Sequence, residues 1–228
     1  SVVDELLLGK SVVIHSYIPE EHPVYEPNVA QYPYDPAASM ALLDEMGWTD
    51  ADGDGIRECN GCDVENAEEG TPLAFKWGST TADLRVNAMQ IFQVNLLECG
   101  FDVTLENLPA GEWFDDGPVG PLFGRHFDLG EFAWLTGVEP PCGLYLGSEW
   151  PSEESGCAGQ NNPGFINAEF DFACNSALQS LPGTAEYDQF HKEAQMIFSE
   201  ELPVVPLFLR IKLAATRPEV TGFVMDPT

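Results

Sequence analysis

The stretch from Pro72 to Leu108 constrains the fold more than any other part of this chain, because it holds three elements in a fixed order. Leu73–Trp77 is an apolar and aromatic run between a proline and a glycine, which is typical of a buried strand. From Leu84 to Cys99 apolar residues recur at helical spacing, and Gly100 supplies the stop. Phe101–Leu105 then alternates as a second strand does. Together they predict a βαβ unit with a right-handed crossover.

A turn of small hydroxyl residues, Gly78–Thr81, joins the first predicted strand to the helix. Thr81 or Asp83 can cap this helix, because their side-chain oxygens accept from free amides of the first turn. Ligands of open α/β sheets bind beyond the carboxyl ends of the strands. We therefore expect the turn, with Ser79 and Thr80, to be the first candidate for a functional site.

A third strand is predicted over Phe127–Trp134, and the turn that follows it, Leu135–Gly137, is again small and polar. Core packing is the ordinary role of a tryptophan, but Trp134 stands at a predicted strand end beside this turn and is the one best placed for a ligand. The next stretch, Val138–Phe165, is a long loop rich in Gly, Pro, Ser and Asn. A loop of this length is usually functional or tethered by a disulfide.

The remaining elements follow from capping and stop signals. Asp35 and Pro36 predict a helix that ends at Gly47. Further predictions are helices over Asn167–Leu181 and after Thr184, and strands over Leu207–Ile211, Leu213–Ala215 and Val220–Val224.

An acidic loop follows the first of these helices. Asp50, Asp52 and Asp54 alternate before a glycine, and the Ile56 carbonyl and Glu58 can add oxygens, as in a calcium loop of the EF-hand type. Position twelve, counted from Asp50, is Gly61 rather than the bidentate Glu. The incomplete match favours the alternative, which is an Asx-rich turn that needs no metal.

Charge excludes several classes of partner. The chain has 38 acidic against 9 basic residues, a net charge of -29. Such a surface repels phosphate backbones and anionic membranes, so we expect no nucleic-acid partner. The acidic shell is typical of a secreted or salt-exposed protein.

Six cysteines point to disulfides in an oxidising compartment rather than to zinc, for which no second close pair is present. Cys59 and Cys62 can close a small loop, and Cys142 can pair with Cys157 or Cys174. Cys99 lies on the apolar stripe of its helix and is expected to be a buried free thiol.

No catalytic motif is evident in the sequence. The four histidines lack metal spacing and no nucleophile or phosphate-binding motif is present. The chain starts at Ser1 without a signal peptide and has no apolar run long enough to span a membrane, so we expect a processed or excised piece.

Several groups of residues, in this order, carry a resemblance to a known family. They are Tyr34-Asp35-Pro36 with Ala41-Leu42-Leu43 and Gly47-Trp48, Asp52–Gly55, Gly70–Leu73, Arg85 with Gln90 and Gln93, Leu96-Leu97, Gly100–Val103, Phe127-Asp128-Leu129 with Trp134, Asn167–Asp171, Glu193-Ala194-Gln195 and Glu200–Leu207. The ordered set resembles the extracytoplasmic solute-binding proteins of ABC importers, in the oligopeptide/dipeptide/nickel-binding family.

The resemblance implies that residues 1–228 form a single C-terminal ligand-binding lobe of a longer, two-lobed protein. The implied fold is α/β, a periplasmic-binding-protein type II lobe with a mixed sheet flanked by helices. The implied partners are a small solute, the missing N-terminal lobe and an ABC permease in the membrane. The implied setting is periplasmic or extracellular, with anchoring through a missing N-terminus. No catalysis and no cofactor are implied, beyond the calcium alternative of the acidic loop.

One position departs from the family pattern. Peptide-binding members typically carry an Asp three residues after the tryptophan that corresponds to Trp134, where it holds the amino terminus of the peptide. This chain has Gly137 there, and Glu139 is the nearby carboxylate that can substitute. A peptide is therefore the family default, and another class of solute stays open.

The main hypothesis is a half-site for a solute, with the missing lobe as its other wall. Its ligand-binding residues are Ser79, Thr80, Trp134, Thr136 and Gly137. The rival hypotheses are a secreted hydrolase domain and a calcium-stabilised structural module.

Overall fold

A computed structural model describes residues 1–135, 137–210 and 213–224, and the chain divides into two units. The first unit is Ser1–Val2 with Tyr32–Phe132, and the second is Val3–Gln31 with Ala133–Thr228. A short π-helix covers Val2–Leu6. Within the described ranges, no helix has both the length and the apolar character that crossing a membrane requires.

The first unit is built on a three-stranded parallel sheet. Strand β3 (Ala74–Thr80) lies between β4 (Asp102–Leu108) and β5 (Leu129–Gly130). Helix α2 (Asp83–Glu98) connects β3 to β4, so the predicted strand–helix–strand unit is confirmed. Trp77, Met89 and Val103 form the buried contact between the sheet and α2, and the Trp77 ring stacks on Phe92.

The predicted turn Gly78–Thr81 is wrong, because β3 continues through Thr80. Gly78, Ser79 and Thr80 pair with Glu106, Asn107 and Leu108 of β4, which itself ends three residues later than the sequence predicts. A glycine is needed within β3, because a Cβ at Gly78 would collide with the Trp113 ring. Ser79 and Thr80 are therefore buried strand residues.

The cap predicted for α2 is also wrong. Its N-cap is Ala82, which makes no side-chain capping bond. Thr81 is still tied to the sheet through its amide, which donates to the Leu108 carbonyl, and Asp83 already lies in the first turn. The predicted stop is confirmed, since the helix ends before Gly100, whose φ is +89°.

Strand β5 is shorter than the predicted Phe127–Trp134. Backbone bonds to β3 extend only from Asp128, which donates to the Lys76 carbonyl, to Glu131, which donates to the Gly78 carbonyl. At Glu131 the carbonyl accepts from the Ser79 hydroxyl instead of from a strand amide. The pairing therefore stops before it reaches Trp134.

Short elements complete the first unit. Helix α1 (Pro36–Glu45) is capped by Asp35, as predicted. An antiparallel hairpin of β1 (Trp48–Thr49) and β2 (Glu58–Cys59) follows it. A single turn, α3 (Ala110–Trp113), follows β4 and brings Trp113 into the interior.

The second unit is built on two packed helices, α4 (Ala168–Gln179) and α5 (Ala185–Glu201). Both predicted helices are confirmed, and so is the cap at Thr184, while Asn167, the predicted first residue of α4, is its N-cap. Two 3₁₀ turns, Pro141–Tyr145 and Gly147–Glu149, lie in the long loop before α4. The core of this unit contains Tyr17, Ile18, Tyr145, Phe170 and Phe198.

The strands predicted near the carboxyl end are not observed. Leu213–Ala215 and Val220–Val224 form no strand, and Leu213 and Val224 are 90% and 86% exposed because they meet no sheet in the described ranges. Of Leu207–Ile211, only Phe208 pairs, in a single bridge to Val13, and Ile211 lies outside the described residues.

The cysteines follow the sequence-based expectation. Cys59–Cys62 and Cys142–Cys174 are disulfides, and Cys99 is a buried free thiol. The second free cysteine is Cys157. Helices, a parallel sheet and an antiparallel hairpin together confirm the α/β class.

Candidate functional site

The five predicted ligand-binding residues are divided between the two units. Ser79 and Thr80 belong to the first unit, and Trp134 and Gly137 to the second. Thr136 lies outside the described residues. Each group is therefore described within its own unit, and the combination of all five into one site stays a prediction.

Ser79 is enclosed at the carboxyl end of β3. Its Oγ lies 2.6 Å from the Glu131 carbonyl oxygen and 2.7 Å from Glu131 Oε2. The hydroxyl carries one proton, so it donates to one of these acceptors at a time. Ser79 is 0% exposed. Its hydroxyl thus binds β5 to β3, and it offers little to a ligand.

Thr80 belongs to the same polar group. Its Oγ1 lies 3.3 Å from Arg85 Nη1, and its carbonyl accepts from Asn107 Nδ2 at 3.0 Å. Arg85 Nε in turn lies 3.8 Å from Glu131 Oε2. Arg85 and Glu131 keep only 14% and 12% of their side chains exposed. The strand end is therefore a nearly closed network of an ion pair and two hydroxyl groups.

Arg85 and Glu131 are members of this strand end that the sequence did not single out for the site. Arg85 is found in the first turn of α2, directly after the strand end, and Glu131 directly follows β5. The sequence contains a signal that could have identified Arg85. Only 9 of the 228 residues are basic, so a cation near a predicted strand end is unusual.

Trp134 and Gly137 lie in the loop that begins the second unit. Trp134 is half-buried, and Gly137 is exposed, with nothing within 4 Å of the place where a Cβ would stand. The position that holds an Asp in the implied family is thus open space, and a larger side chain fits there.

Glu139 is held in place by two residues of α5. Its Oε2 accepts from the Tyr187 hydroxyl at 3.1 Å, and its Oε1 lies 3.0 Å from His191 Nε2. The Glu139 side chain is 49% exposed, whereas His191 is fully buried. The carboxylate therefore has a fixed orientation and still faces solvent.

Burial controls the titration of both α5 residues. Burial, followed by the nearby Glu139 carboxylate, raises the pKa of Tyr187 to about 12. Burial lowers the pKa of His191 and outweighs the opposite effect of Glu139. His191 Nδ1 has no hydrogen-bond partner among the described residues, so a second proton there is unfavourable. His191 thus stays neutral and donates from Nε2.

The acidic loop forms the connection of the β1–β2 hairpin. One carboxylate oxygen from each of Asp50, Asp52, Asp54 and Glu58 lies within 4.8 Å of the others. The same side chains accept backbone amides within the loop, for example Gly53 N to Asp50 Oδ1 at 2.7 Å and Ile56 N to Asp54 Oδ1 at 2.8 Å. Both alternatives, a calcium loop and an Asx-rich turn, are compatible with this arrangement.

Comparison with known proteins identifies relatives that match most of the chain. A family model described as bacterial extracellular solute-binding proteins, family 5 Middle, matches residues 1–148. Di/tripeptide-binding protein 2 of Pseudomonas aeruginosa is 25% identical over 209 residues, which cover 89% of this chain and 34% of that protein.

Solved structures with the same fold include the oligopeptide-binding protein of Thermus thermophilus complexed with a pentapeptide. It has a TM-score of 0.78 and 26% identity, and the match covers 92% of this chain and 35% of that one. NikZ from Campylobacter jejuni, in complex with Ni(L-His), has a TM-score of 0.71 and 21% identity, with 91% and 38% covered. These neighbours are type II periplasmic binding proteins, which confirms the expected fold class.

The chain spans about a third of the length of the curated relatives and solved structures that it matches. The family model nevertheless covers well over half of the chain, and the structural similarity extends over nearly all of it. The chain therefore belongs to the bacterial extracellular solute-binding proteins, family 5.

Proposed function

We propose that this chain is one lobe of the substrate-binding component of an ABC importer. The complete protein captures a small solute between two lobes and delivers it to a membrane permease. The location is periplasmic or extracellular, with membrane anchoring through the amino-terminal part. The observation that carries the proposal is the family match over residues 1–148.

The substrate class we propose is a short peptide. Support comes from the di/tripeptide-binding relative at 25% identity and from the pentapeptide complex at 26% identity. The nickel complex is 21% identical and supports only the fold. We also propose that the chain catalyses no reaction, because the relatives that it matches are binding proteins.

Calorimetry with the chain and with the complete protein tests the half-site. We expect di- and tripeptides to bind the complete protein tightly and the 228-residue chain weakly or not at all. A lobe that presents only one wall buries little ligand surface, and affinity depends on closing the second wall. Tight binding by the chain alone would contradict the half-site.

Gly137 allows a sharper test of the peptide assignment. In the complete protein, Gly137→Asp restores the carboxylate of the family pattern in open space. We expect it to raise the affinity for a free-amine dipeptide by about tenfold, through a charge-assisted bond. The same dipeptide with an acetylated amine is the control and gains nothing. Equal gains for both peptides would place Gly137 away from the peptide amine.

A further inference from the structure

The two disulfides of the chain differ in how easily a reagent reaches them. Cys142 and Cys174 are each 0% exposed and lie in the core of the second unit. In the first unit, Cys59 is 3% exposed, but Cys62 is partly exposed and follows the exposed Gly61. A thiolate that opens a disulfide must reach one of its two sulfur atoms. Cys62 therefore gives access to the first disulfide, whereas burial protects the second.

Loop length also favours the opening of the Cys59–Cys62 disulfide. It spans a sequence separation of 3, against 32 for Cys142–Cys174. A short loop restricts the unfolded chain less, so this bond adds less to the stability of the fold. The backbone at Cys59 is held independently, since its amide donates to the Thr71 carbonyl and its carbonyl accepts from the Gly70 amide, both at 2.8 Å. These bonds remain when the sulfur atoms separate.

The surroundings of Cys59 suit a thiol as well as a disulfide. Cys59 lies in an apolar cluster with Trp48 and Leu73, where a neutral thiol is tolerated and a thiolate is not. Its Sγ is 3.8 Å from the Cys62 carbonyl oxygen, which can accept the weak hydrogen bond of a thiol. The reduced form therefore has a place for its buried sulfur and an acceptor for its proton.

We propose that Cys59–Cys62 is a reversible thiol-exchange site, which a dithiol opens while Cys142–Cys174 stays intact. One thiolate of the dithiol attacks Cys62 Sγ and forms a mixed disulfide, and Cys59 leaves and takes up a proton. The second thiol of the reagent then attacks the reagent's own sulfur in the mixed disulfide and releases Cys62. The protein gains two electrons and two protons, and the dithiol becomes a disulfide. A small disulfide closes the site again by the reverse exchange.

Reduction acts on a close contact just beyond helix α1. A Cβ at Gly47 would lie 2.7 Å from the Cys62 nitrogen and from the Gly61 carbonyl carbon, and the Gly47 carbonyl accepts from the Asn60 amide at 2.7 Å. The residues between the two cysteines thus pack directly on Gly47. Opening the disulfide lets Cys62 move away from Gly47, so the change is local to the hairpin and the end of α1. The site is distinct from the predicted solute half-site, with which it shares no residue.

Reduction of the folded 228-residue chain tests the site. Dithiothreitol is the reductant, iodoacetamide traps the thiols, and peptide mapping by mass spectrometry identifies each alkylated cysteine. We expect Cys59 and Cys62 to be alkylated while Cys142 and Cys174 stay unmodified. Oxidised glutathione in excess, added before the trap, should prevent the alkylation of Cys59 and Cys62. Equal modification of both pairs, no alkylation of Cys59 short of unfolding, or a failure of oxidised glutathione to close the bond would overturn the proposal.

Amide spectra of the ¹⁵N-labelled chain show whether the change is local. We expect dithiothreitol to shift the Gly47 and Asn60 amides and to leave those of α4 unchanged. The double variant Cys59→Ala, Cys62→Ala should not respond to dithiothreitol. Cys157→Ser, which loses a free thiol and keeps both disulfides, is the control and should respond as the parent does. A response that persists in the double variant, or shifts throughout α4, would contradict the site.

Discussion

Folding makes the protonation of His191 less favourable. It is fully buried, its Nδ1 has no partner among the described residues, and burial lowers its pKa below the ordinary value of 6.5. The charged groups near it are Glu139, Asp188 and His22, and only the first two favour the protonated form. The unfolded chain therefore accepts a proton at a higher pH than the folded chain does.

This difference predicts a loss of stability on acidification. Stability from His191 is fully present above pH 6.5 and decreases as the pH falls from there through the lower pKa of the folded state. We expect the melting temperature to fall between pH 7 and pH 5, and to fall less in His191→Gln. The matched control is His126→Gln, an exposed histidine, which should retain the parent's slope. An unchanged slope in His191→Gln would show that other groups govern the pH dependence.

Gly100 is the second residue at which a substitution should change the stability of the chain. Its φ is +89°, and a Cβ there would lie 2.6 Å from Arg57 Cγ. Arg57 cannot yield easily, since it donates to the carbonyls of Cys99 and Trp48 and to Asp44. We expect Gly100→Ala to destabilise the chain by at least about 1 kcal/mol in urea unfolding. Gly111→Ala, in α3 with open space around it, is the control and should be neutral or stabilising.

Single residues also show where sequence reasoning succeeds. Asp35 and Thr184 are predictable as caps because a cap depends on only a few neighbouring residues. The sequence Gly78-Ser79-Thr80 predicts a turn, because these residues favour turns locally. Seven paired residues of β4 override that local preference. Arg85 and Glu131 are 46 residues apart in the numbering, and only the sheet brings them together.

At the scale of elements, the β1–β2 hairpin permits a direct test of calcium. Four carboxylates within 4.8 Å of one another repel each other, and a divalent cation relieves that repulsion. If the loop takes calcium, millimolar Ca²⁺ raises the melting temperature and a chelator reverses the rise. Asp54→Asn should reduce the effect of Ca²⁺, whereas Asp63→Asn, another acidic residue of the first unit, should not. No shift on chelation would leave the hairpin loop as an Asx-rich turn.

The two disulfides should differ in how much they stabilise the folded chain. Cys142–Cys174 links the 3₁₀ turn to α4 across a sequence separation of 32, whereas Cys59–Cys62 spans 3. Loop entropy predicts that removing the first pair costs about 4 kcal/mol and removing the second about 2 kcal/mol. Denaturant unfolding of the two double Cys→Ala variants measures both. Similar costs would show that the entropy of the unfolded chain is not the main effect.

Element boundaries depend on pairing that the sequence shows only in part. The β3–α2–β4 unit was predictable because its apolar periods change clearly from strand to helix and back. The later strands were not, since Leu213–Ala215 and Val220–Val224 have apolar residues but meet no sheet in the described ranges. An apolar alternation predicts a strand only where a neighbouring strand can accept its hydrogen bonds.

At the scale of the whole molecule, the net charge of -29 sets the response to salt. Self-repulsion favours the expanded chain, and salt shortens its range to about 10 Å at 0.1 M. We expect the melting temperature to rise steadily from low salt to 1 M KCl. Uncharged sucrose at matched osmolality is the control for solvent effects. A melting temperature that does not change with KCl would mean that the acidic residues are already spaced widely enough to repel one another little.

Residues that are far apart in sequence hold the second unit together. Gln195 of α5 accepts from Ser16 Oγ and the Glu26 amide and donates to the Val24 carbonyl, and Ser199 accepts from the Ala30 amide. The segment Val3–Gln31 forms little regular structure, so its backbone needs these buried side chains. The sequence predicts a helix after Thr184, which α5 confirms, but it gives no reason for polar residues on the buried face of that helix.

This arrangement has a consequence for biosynthesis. During translation, the segment that ends at Gln31 leaves the ribosome long before its partners on α5, which follow 169 to 179 residues later. Residues 32–132 can complete their own unit in the meantime, while the early segment waits as a nascent chain without its hydrogen-bond partners. Vectorial synthesis therefore makes the second unit assemble after the first, although the segment Val3–Gln31 is made before residues 32–132.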